Sequence, residues 1–147
     1  MCAEPYQLQC CLNYPNLVTQ LITMIHQEPE SIRNECIFCL TNATFKASHA
    51  QIEFLVENGV LNVFHENLLN STVNIDLMDE ILQALNSILN TGDCHLVNDK
   101  NPYQEKLQMM EFKKVLEDLE GHMSEKVSKR SMAISERFFG SSSLFDV

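Results

Sequence analysis

The sequence has no tryptophan, only four glycines and only four prolines among its 147 residues. So few turn-forming residues argue against a turn-rich β fold and favour helices. No apolar run approaches the roughly 18 to 20 residues that span a bilayer, so we expect no membrane segment. The first residues, MCAEPYQLQC, have neither the basic start nor the apolar stretch of a secretory signal. We therefore expect a reducing compartment in which the cysteines remain thiols.

Basic side chains are scarce in the first two thirds of the chain. Residues 1–99 contain 12 acidic and 2 basic residues, and no Lys or Arg lies between Ala47 and Asp99. Residues 100–147 contain 8 of each sign, so the whole net charge of -10 arises before Lys100. Because such a surface repels phosphate, we expect neither nucleic acid nor an anionic membrane as a direct partner. A basic ligand is its natural complement.

Apolar residues recur with a helical period along nearly the whole chain. Ser48 is the predicted N-cap of one helix, Gly59 its C-terminal glycine, and Pro29 stands at the front of another. The predicted helices cover 16–27, 30–45, 49–58, 60–69, 74–90, 103–120 and 124–139. The predicted core comprises Leu21, Ile25, Ile32, Ile37, Leu40, Leu55, Leu61, Phe64, Leu68, Leu82, Leu85, Ile88, Leu116, Ile134 and Phe138.

The helices also repeat along the chain. Placing Asn42 over Ser87 aligns Glu35 with Glu80. A period of about 43 to 45 residues is typical of armadillo and HEAT units, whose apolar faces must stack on their neighbours. We predict an all-α fold, an armadillo-type right-handed superhelical stack of about two and a half to three repeats at the C-terminal end of a solenoid. The expected organisation is an N-terminal extension or incomplete repeat at 1–14, an armadillo domain at 15–140 and a flexible tail at 141–147.

Three residues of the segment ECIFCLTNAT define what we call the Glu35 stripe: Glu35, Phe38 and Asn42. They lie within about 60° of one another on a helix that turns 100° per residue. An exposed aromatic ring could take the aliphatic stem of a Lys or Arg, the carboxylate its charged head, and the amide the peptide backbone. The simpler interpretation is a half-buried phenylalanine beside a satisfied asparagine.

The segment SIRNECIFCLTNAT, followed by AQIEFLVENGVL, resembles the late armadillo repeats of the importin-α (karyopherin-α) family. In that family the third helix of a repeat carries a Trp, an Asn four residues later and an acid three residues earlier. Those places hold Phe38, Asn42 and Glu35 here. The segments ILQALNSILNTGD and SMAISERFFG are similar to the next repeat and to the closing helix.

This resemblance implies a nuclear import adaptor found in cytoplasm and nucleus, with the Glu35 stripe in the minor groove site for Lys/Arg-rich nuclear localisation signals. It also implies docking to the export receptor and to a nucleoporin. The basic importin-β-binding segment is missing from this chain, and Phe38 replaces the larger tryptophan. A possible secondary groove, the Glu80 stripe, has Glu80 but then Gln83 and Ser87, so the aromatic and Asn ladder is not continued. The alternative is a structural armadillo scaffold with a decayed groove, which binds transport factors or other proteins but not basic peptides.

Other kinds of site have weaker support. Cys36 and Cys39 form a CxxC pair without two further ligands at usable spacing, so we expect no metal and place both thiols in the structural core. The adjacent carboxyl groups of Asp79 and Glu80 are interpreted as a solvated edge. Neither a nucleophile with its base nor a phosphate-binding glycine loop is found, which predicts a protein that is not an enzyme and needs no cofactor.

Overall fold

The structure is a computed structural model that describes residues 5–70 and 73–140. The predicted tail at 141–147 lies outside the described residues. Within these residues the regular structure consists of nine α-helices. Their bounds are α1 Pro5–Leu12, α2 Leu17–Gln27, α3 Glu30–Phe45, α4 His49–Glu57, α5 Val60–Leu69, α6 Ile75–Cys94, α7 Pro102–Met109, α8 Phe112–Glu120 and α9 Glu125–Phe138. None of the described helices is long and apolar enough to cross a membrane.

The nine helices follow one order three times along the chain: a short helix, a second helix and a longer one. The triplets are α1–α3, α4–α6 and α7–α9, and their third helices have 16, 20 and 14 residues. In each triplet the second helix is preceded by a residue with left-handed backbone: Asn16, Gly59 or Glu111. This repeated order confirms the predicted all-α, armadillo-like repeat fold.

Local sequence explains where the helices begin. Ser48 caps α4, because its hydroxyl accepts a hydrogen bond from the Gln51 backbone N–H at 3.3 Å. The Gln51 side chain in turn accepts one from the Ser48 N–H at 2.9 Å, which completes a capping box. Asn74 and Ser124 cap α6 and α9 in the same way, through the backbone N–H of the third residue. The predicted cap at Ser48 is therefore confirmed.

Three helix predictions differ from the structure. The helix predicted at 74–90 continues to Cys94, so Gly92 lies inside it rather than beyond its end. The segment Pro5–Leu12 forms a helix that apolar periodicity did not indicate. The single helix predicted at 103–120 is two helices, because the backbone turns at Met110 and Glu111. Glu111 adopts the left-handed conformation usually taken by glycine or asparagine, so the sequence carries no conventional break signal at this turn.

The first of two compact units ends at Asn67. In it α2 packs against both α1 and α3. The buried side chain of Gln51 donates hydrogen bonds to the Pro5 carbonyl at 2.8 Å and to the Gln9 side chain at 3.1 Å, which ties α1 to α4. On the surface, His26 and Glu66 join α2 to α5 at 2.8 Å.

The second unit begins at Leu68. In it α6 packs against α7 and α9, and α8 packs against the same two helices. Asn101 is buried at the start of α7: its amide donates to the Leu89 carbonyl at 2.8 Å and to the Asp93 carboxylate at 2.9 Å. Its oxygen accepts from the Tyr103 and Gln104 N–H groups. These four bonds fix the chain's return after α6.

Thirteen of the fifteen predicted core residues are buried. Leu21 is half-buried, and Ile32 is 40% exposed. Ile32 lies about 60° from Glu35 on the wheel of α3, at the border between the buried side of the helix and the Glu35 stripe. The helical period predicted which side of each helix is buried, but not how far around the helix that burial extends.

Candidate functional site

The Glu35 stripe lies along the side of α3 opposite to its buried side chains. Glu35 is exposed, while Phe38 and Asn42 are both half-buried. Phe38 was expected to present an exposed ring, and the structure leaves its side chain half-buried instead. Part of the ring still reaches solvent, so contact with an aliphatic stem remains physically available.

The position of this stripe follows from the packing of α3. Ile37 and Leu40 are almost fully buried, and Thr41 and Thr44 are buried with them. Both threonine hydroxyls donate to carbonyls of the preceding turn, at 3.0 and 2.7 Å, so no unsatisfied hydroxyl enters the core. Once this side faces inward, the helical repeat leaves the Glu35 stripe facing outward.

The polar groups of the stripe are available to a ligand. Among the described residues, Glu35 has no ion-pair partner and Asn42 no hydrogen-bond partner. A carboxamide can donate to one backbone carbonyl and accept from one backbone N–H, which suits an extended peptide. The interpretation of Asn42 as a satisfied asparagine is therefore not supported by its surroundings.

The two cysteines of the CxxC pair lie in different environments. Cys36 is buried, and burial raises the pKa of its thiol, followed by smaller contributions from Cys39, Glu28 and Glu35. Cys39 is exposed, so placing both thiols in the core was wrong. Cys39 follows Glu35 by four residues, about 40° around the helix, and therefore borders the Glu35 stripe. The angle of Cys39 on the helical wheel indicates this exposure, but the CxxC pattern led to the interpretation of two core thiols.

In the part of the chain that the structure describes, no side chains are arranged to bind a metal ion. No three His, Cys, Asp or Glu side chains in these residues come close enough to hold an ion. Cys36 is buried and Cys39 exposed, and no further His, Cys, Asp or Glu of the described residues comes close enough to complete a site with them.

The Glu80 stripe differs from the Glu35 stripe in its surroundings. Glu80, Gln83 and Ser87 are all half-buried on α6. The side-chain amide of Gln83 donates a 2.8 Å hydrogen bond to the carboxylate of Asp79, the residue before Glu80. The position that corresponds to Phe38 is therefore occupied by an amide that is already bonded within its own helix.

Asp79 is a buried ion-pair centre, with a side chain 1% exposed. Its carboxylate accepts from Lys126 Nζ at 3.1 Å and from Arg130 Nε, both on α9. Burial alone raises the pKa of Asp79, but the hydrogen bonds from Arg130, Lys126 and Gln83 and the charge of Arg130 outweigh it and hold that pKa below its usual value. The interpretation of Asp79 as part of a solvated edge was wrong, because its side chain is buried. Its charged partners, Lys126 and Arg130, lie far away in the sequence, so its own segment gave no sign of them.

The fold is that of an armadillo-like helical repeat protein, and α3 carries the Glu35 stripe on the side opposite to its buried residues. No family model matches the chain. It is 25% identical over 140 residues to Importin subunit alpha-1 of Caenorhabditis elegans, covering 95% of this chain and 26% of that protein. It is 24% identical over 124 residues to Importin subunit alpha-5 of Arabidopsis thaliana, covering 84% of this chain and 24% of that protein.

These similarities relate the chain to the importin-α subunits. They extend over most of the chain and include the Glu35 stripe and the α4–α5 helix pair. The chain spans about a quarter of the length of the curated relatives it matches.

Proposed function

We propose that this chain recognises Lys/Arg-rich nuclear localisation signals through the Glu35 stripe, as part of a nuclear protein import adaptor. The observation that carries the proposal is the stripe itself. It has an exposed carboxylate, a half-buried aromatic ring and a carboxamide without a hydrogen-bond partner among the described residues, all on one side of α3. The relationship to importin-α subunits over most of the chain supports it. The role is one of binding rather than catalysis.

Each side chain of the stripe contributes a modest free energy of binding. A Lys or Arg over the Phe38 ring is worth about 0.5 to 1 kcal/mol at a solvent-exposed position. A hydrogen bond from Asn42 to a peptide backbone adds about 1 kcal/mol. An exposed ion pair with Glu35 adds about 0.2 to 1 kcal/mol. The total of about 2 to 3 kcal/mol falls well short of the roughly 8 kcal/mol of a micromolar complex, and also of the roughly 4 kcal/mol of a millimolar one. We therefore expect a Kd above 1 mM and strong salt dependence.

A peptide titration tests the proposal. A fluorescent Lys/Arg-rich peptide is titrated at low salt with the wild type and with an Asn42→Ala, Glu35→Lys double variant. The matched control is Asn62→Ala, Glu57→Lys, which makes the same changes at exposed positions elsewhere in the first unit. The proposal expects binding to be lost in the first variant and only weakened in the second. Equal affinities of the two variants would contradict it.

Cys39 offers a second measurement at the same surface. Because its thiol is exposed beside the Glu35 stripe, bound peptide should slow its alkylation by N-ethylmaleimide. The exposed thiol of Cys94 serves as an internal reference whose alkylation rate should not change. Mass spectrometry of peptides from the labelled protein separates the two rates. Unchanged labelling of Cys39 at saturating peptide would count against this surface.

The proposal extends to transport partners. By resemblance to importin-α, we propose docking to the export receptor and to a nucleoporin, with movement between cytoplasm and nucleus. The alternative is an armadillo scaffold whose groove has decayed, and the engaged amide of Gln83 on α6 favours it for that helix. A chain that pulls down the export receptor but does not bind basic peptides would support the scaffold alternative.

A further inference from the structure

The Glu80 stripe lies beside a cluster in which the chain's own basic residues already meet an acid. Lys126 and Arg130 are four residues apart on α9, so both side chains project from the same side of that helix. Both reach the Asp79 carboxylate on α6, Lys126 through Oδ2 at 3.1 Å and Arg130 through Oδ1. An ammonium and a guanidinium are the groups that a Lys/Arg-rich peptide would bring to the same surface.

The cluster leaves little bonding capacity for another cation. Asp79 Oδ2 accepts from both Gln83 and Lys126, and Oδ1 accepts from Arg130. A carboxylate has about four acceptor positions, so three of them are filled within the chain. The Gln83 amide is held by the same carboxylate. Because the Asp79 side chain is only 1% exposed, a peptide cation could reach its carboxylate only by displacing one of these donors.

The corresponding place on α3 is not filled in this way. The sequence repeat that aligns Glu35 with Glu80 also aligns Asn34 with Asp79. Asn34 is neutral and attracts no ion pair, and its buried Oδ1 has no hydrogen-bond partner among the described residues. The two helices thus differ at this position. On α6 it holds an acid, Asp79, which binds basic side chains of α9, and on α3 it holds the neutral Asn34.

We infer that Lys126 and Arg130 act as an intramolecular basic ligand that occupies the acidic position beside the Glu80 stripe and confines basic-peptide binding to α3. The inference rests on the proposed function, since it concerns the same class of ligand. Its consequence is specific: removing the outer cation, Lys126, opens a second peptide position at Asp79. Lys126 is the suitable one to remove, because its side chain is 54% exposed and Arg130 remains on the carboxylate.

The test compares Lys126→Ala with Lys129→Ala. Lys129 is on the same helix and, of the residues described, pairs with Glu125 alone, so its removal makes the same change in net charge without touching Asp79. The probe is a short Lys/Arg peptide flanked by glycines, and the same peptide with Gln in place of Lys and Arg is the negative control. Amide NMR signals of ¹⁵N-labelled protein are followed during titration at low salt, including the side-chain amide of Gln83.

In Lys126→Ala the peptide should shift the Gln83 side-chain signal. The overall affinity should be about threefold above that of Lys129→Ala, because the peptide gains one partly exposed charged contact. In the wild type and in Lys129→Ala that signal should stay in place. Equal behaviour of Lys126→Ala and Lys129→Ala would overturn the inference, as would a wild-type Gln83 signal that moves with peptide. If Lys126→Ala proves unfolded, Lys126→Gln, which keeps the aliphatic stem, replaces it.

The same spectra separate this inference from the proposed function. Wild-type signals of Glu35 and Asn42 that ignore the peptide would contradict the proposed function. The Gln83 signal of Lys126→Ala then tests separately whether Lys126 covers Asp79: a shift supports that part of the inference, and no shift refutes it.

Discussion

The turn before each second helix makes a quantitative prediction about Glu111. The three repeats place Asn16, Gly59 and Glu111 at this point with φ of 60°, 97° and 61°. Glycine accepts this conformation freely and asparagine tolerates it, whereas a residue with an ordinary side chain loses about 1 to 2 kcal/mol there. The Glu111 side chain is exposed and makes no capping hydrogen bond, so nothing visible offsets the strain.

Glu111→Gly should therefore stabilise the protein. Loss of the Cβ relieves about 1 to 2 kcal/mol of strain, while the added freedom of the unfolded chain costs about 0.5 to 1 kcal/mol. The net expectation is an increase of about 0.5 to 1 kcal/mol in the free energy of unfolding. Gly59→Ala should lose about 1 kcal/mol by the reverse argument. A Cβ at Gly59 meets only Ile22 Cδ1 at 3.8 Å, an ordinary contact, so that loss measures backbone strain rather than a collision.

Urea unfolding followed by circular dichroism measures both changes, and an unchanged slope with denaturant shows that the same transition is compared. A gain of 1 kcal/mol corresponds to roughly 2 to 4 °C in Tm for a protein of this size. Glu111→Ala, which keeps the Cβ, should show no gain. Glu117→Gly, at an exposed position inside α8, should lose about 0.5 to 1 kcal/mol. If Glu111→Gly destabilises as much as Glu117→Gly, the strain argument fails.

Two further predictions concern buried polar groups. Asp79→Asn should lose about 2 kcal/mol of unfolding free energy at pH 7, less than a fully buried pair because Arg130 is partly exposed. Since the pKa of Asp79 in the folded protein lies below its ordinary value, this stabilisation is present above about pH 4 and is lost as the pH falls further. The urea midpoints of variant and wild type should therefore converge in acid. A difference that stays constant with pH would contradict this. Gly92→Ala places a Cβ 2.0 Å from Asn101 Oδ1 and should lose more than about 2 kcal/mol. In an Asn101→Ala background the same change should cost far less, and additive effects in the double-mutant cycle would refute the collision.

The fold was largely predictable because its information is local. A helical period, a Ser48 cap and Gly59 at a turn each occupy a few adjacent residues, and they fixed most helix bounds and the buried side of each helix. The missed features lacked such local signals. Pro5–Leu12 buries only Leu8, so its period is weak, and Glu111 turns the chain without being a glycine.

The site was predictable only as far as one helix determines it. Wheel angles placed Glu35 outward and Ile37 inward, and both placements agree with the structure. The angle of Cys39, about 40° from Glu35, was not considered, and the CxxC pattern was interpreted as two core thiols, although Cys39 is exposed. Asp79 could not be read from its own segment, because its partner Arg130 is 51 residues away and only the packing of α9 on α6 joins them.

This difference changes the meaning of the acidic excess before Lys100. A count of charges treats Glu35 and Asp79 alike, yet Asp79 is neutralised by Lys126 and Arg130 from the charge-balanced segment. Glu35 has no such partner among the described residues and stays exposed. The salt dependence of the proposed peptide binding should therefore come mainly from Glu35, and charge reversal there should reduce it. Placement and pairing, rather than net charge, decide where a basic peptide can bind.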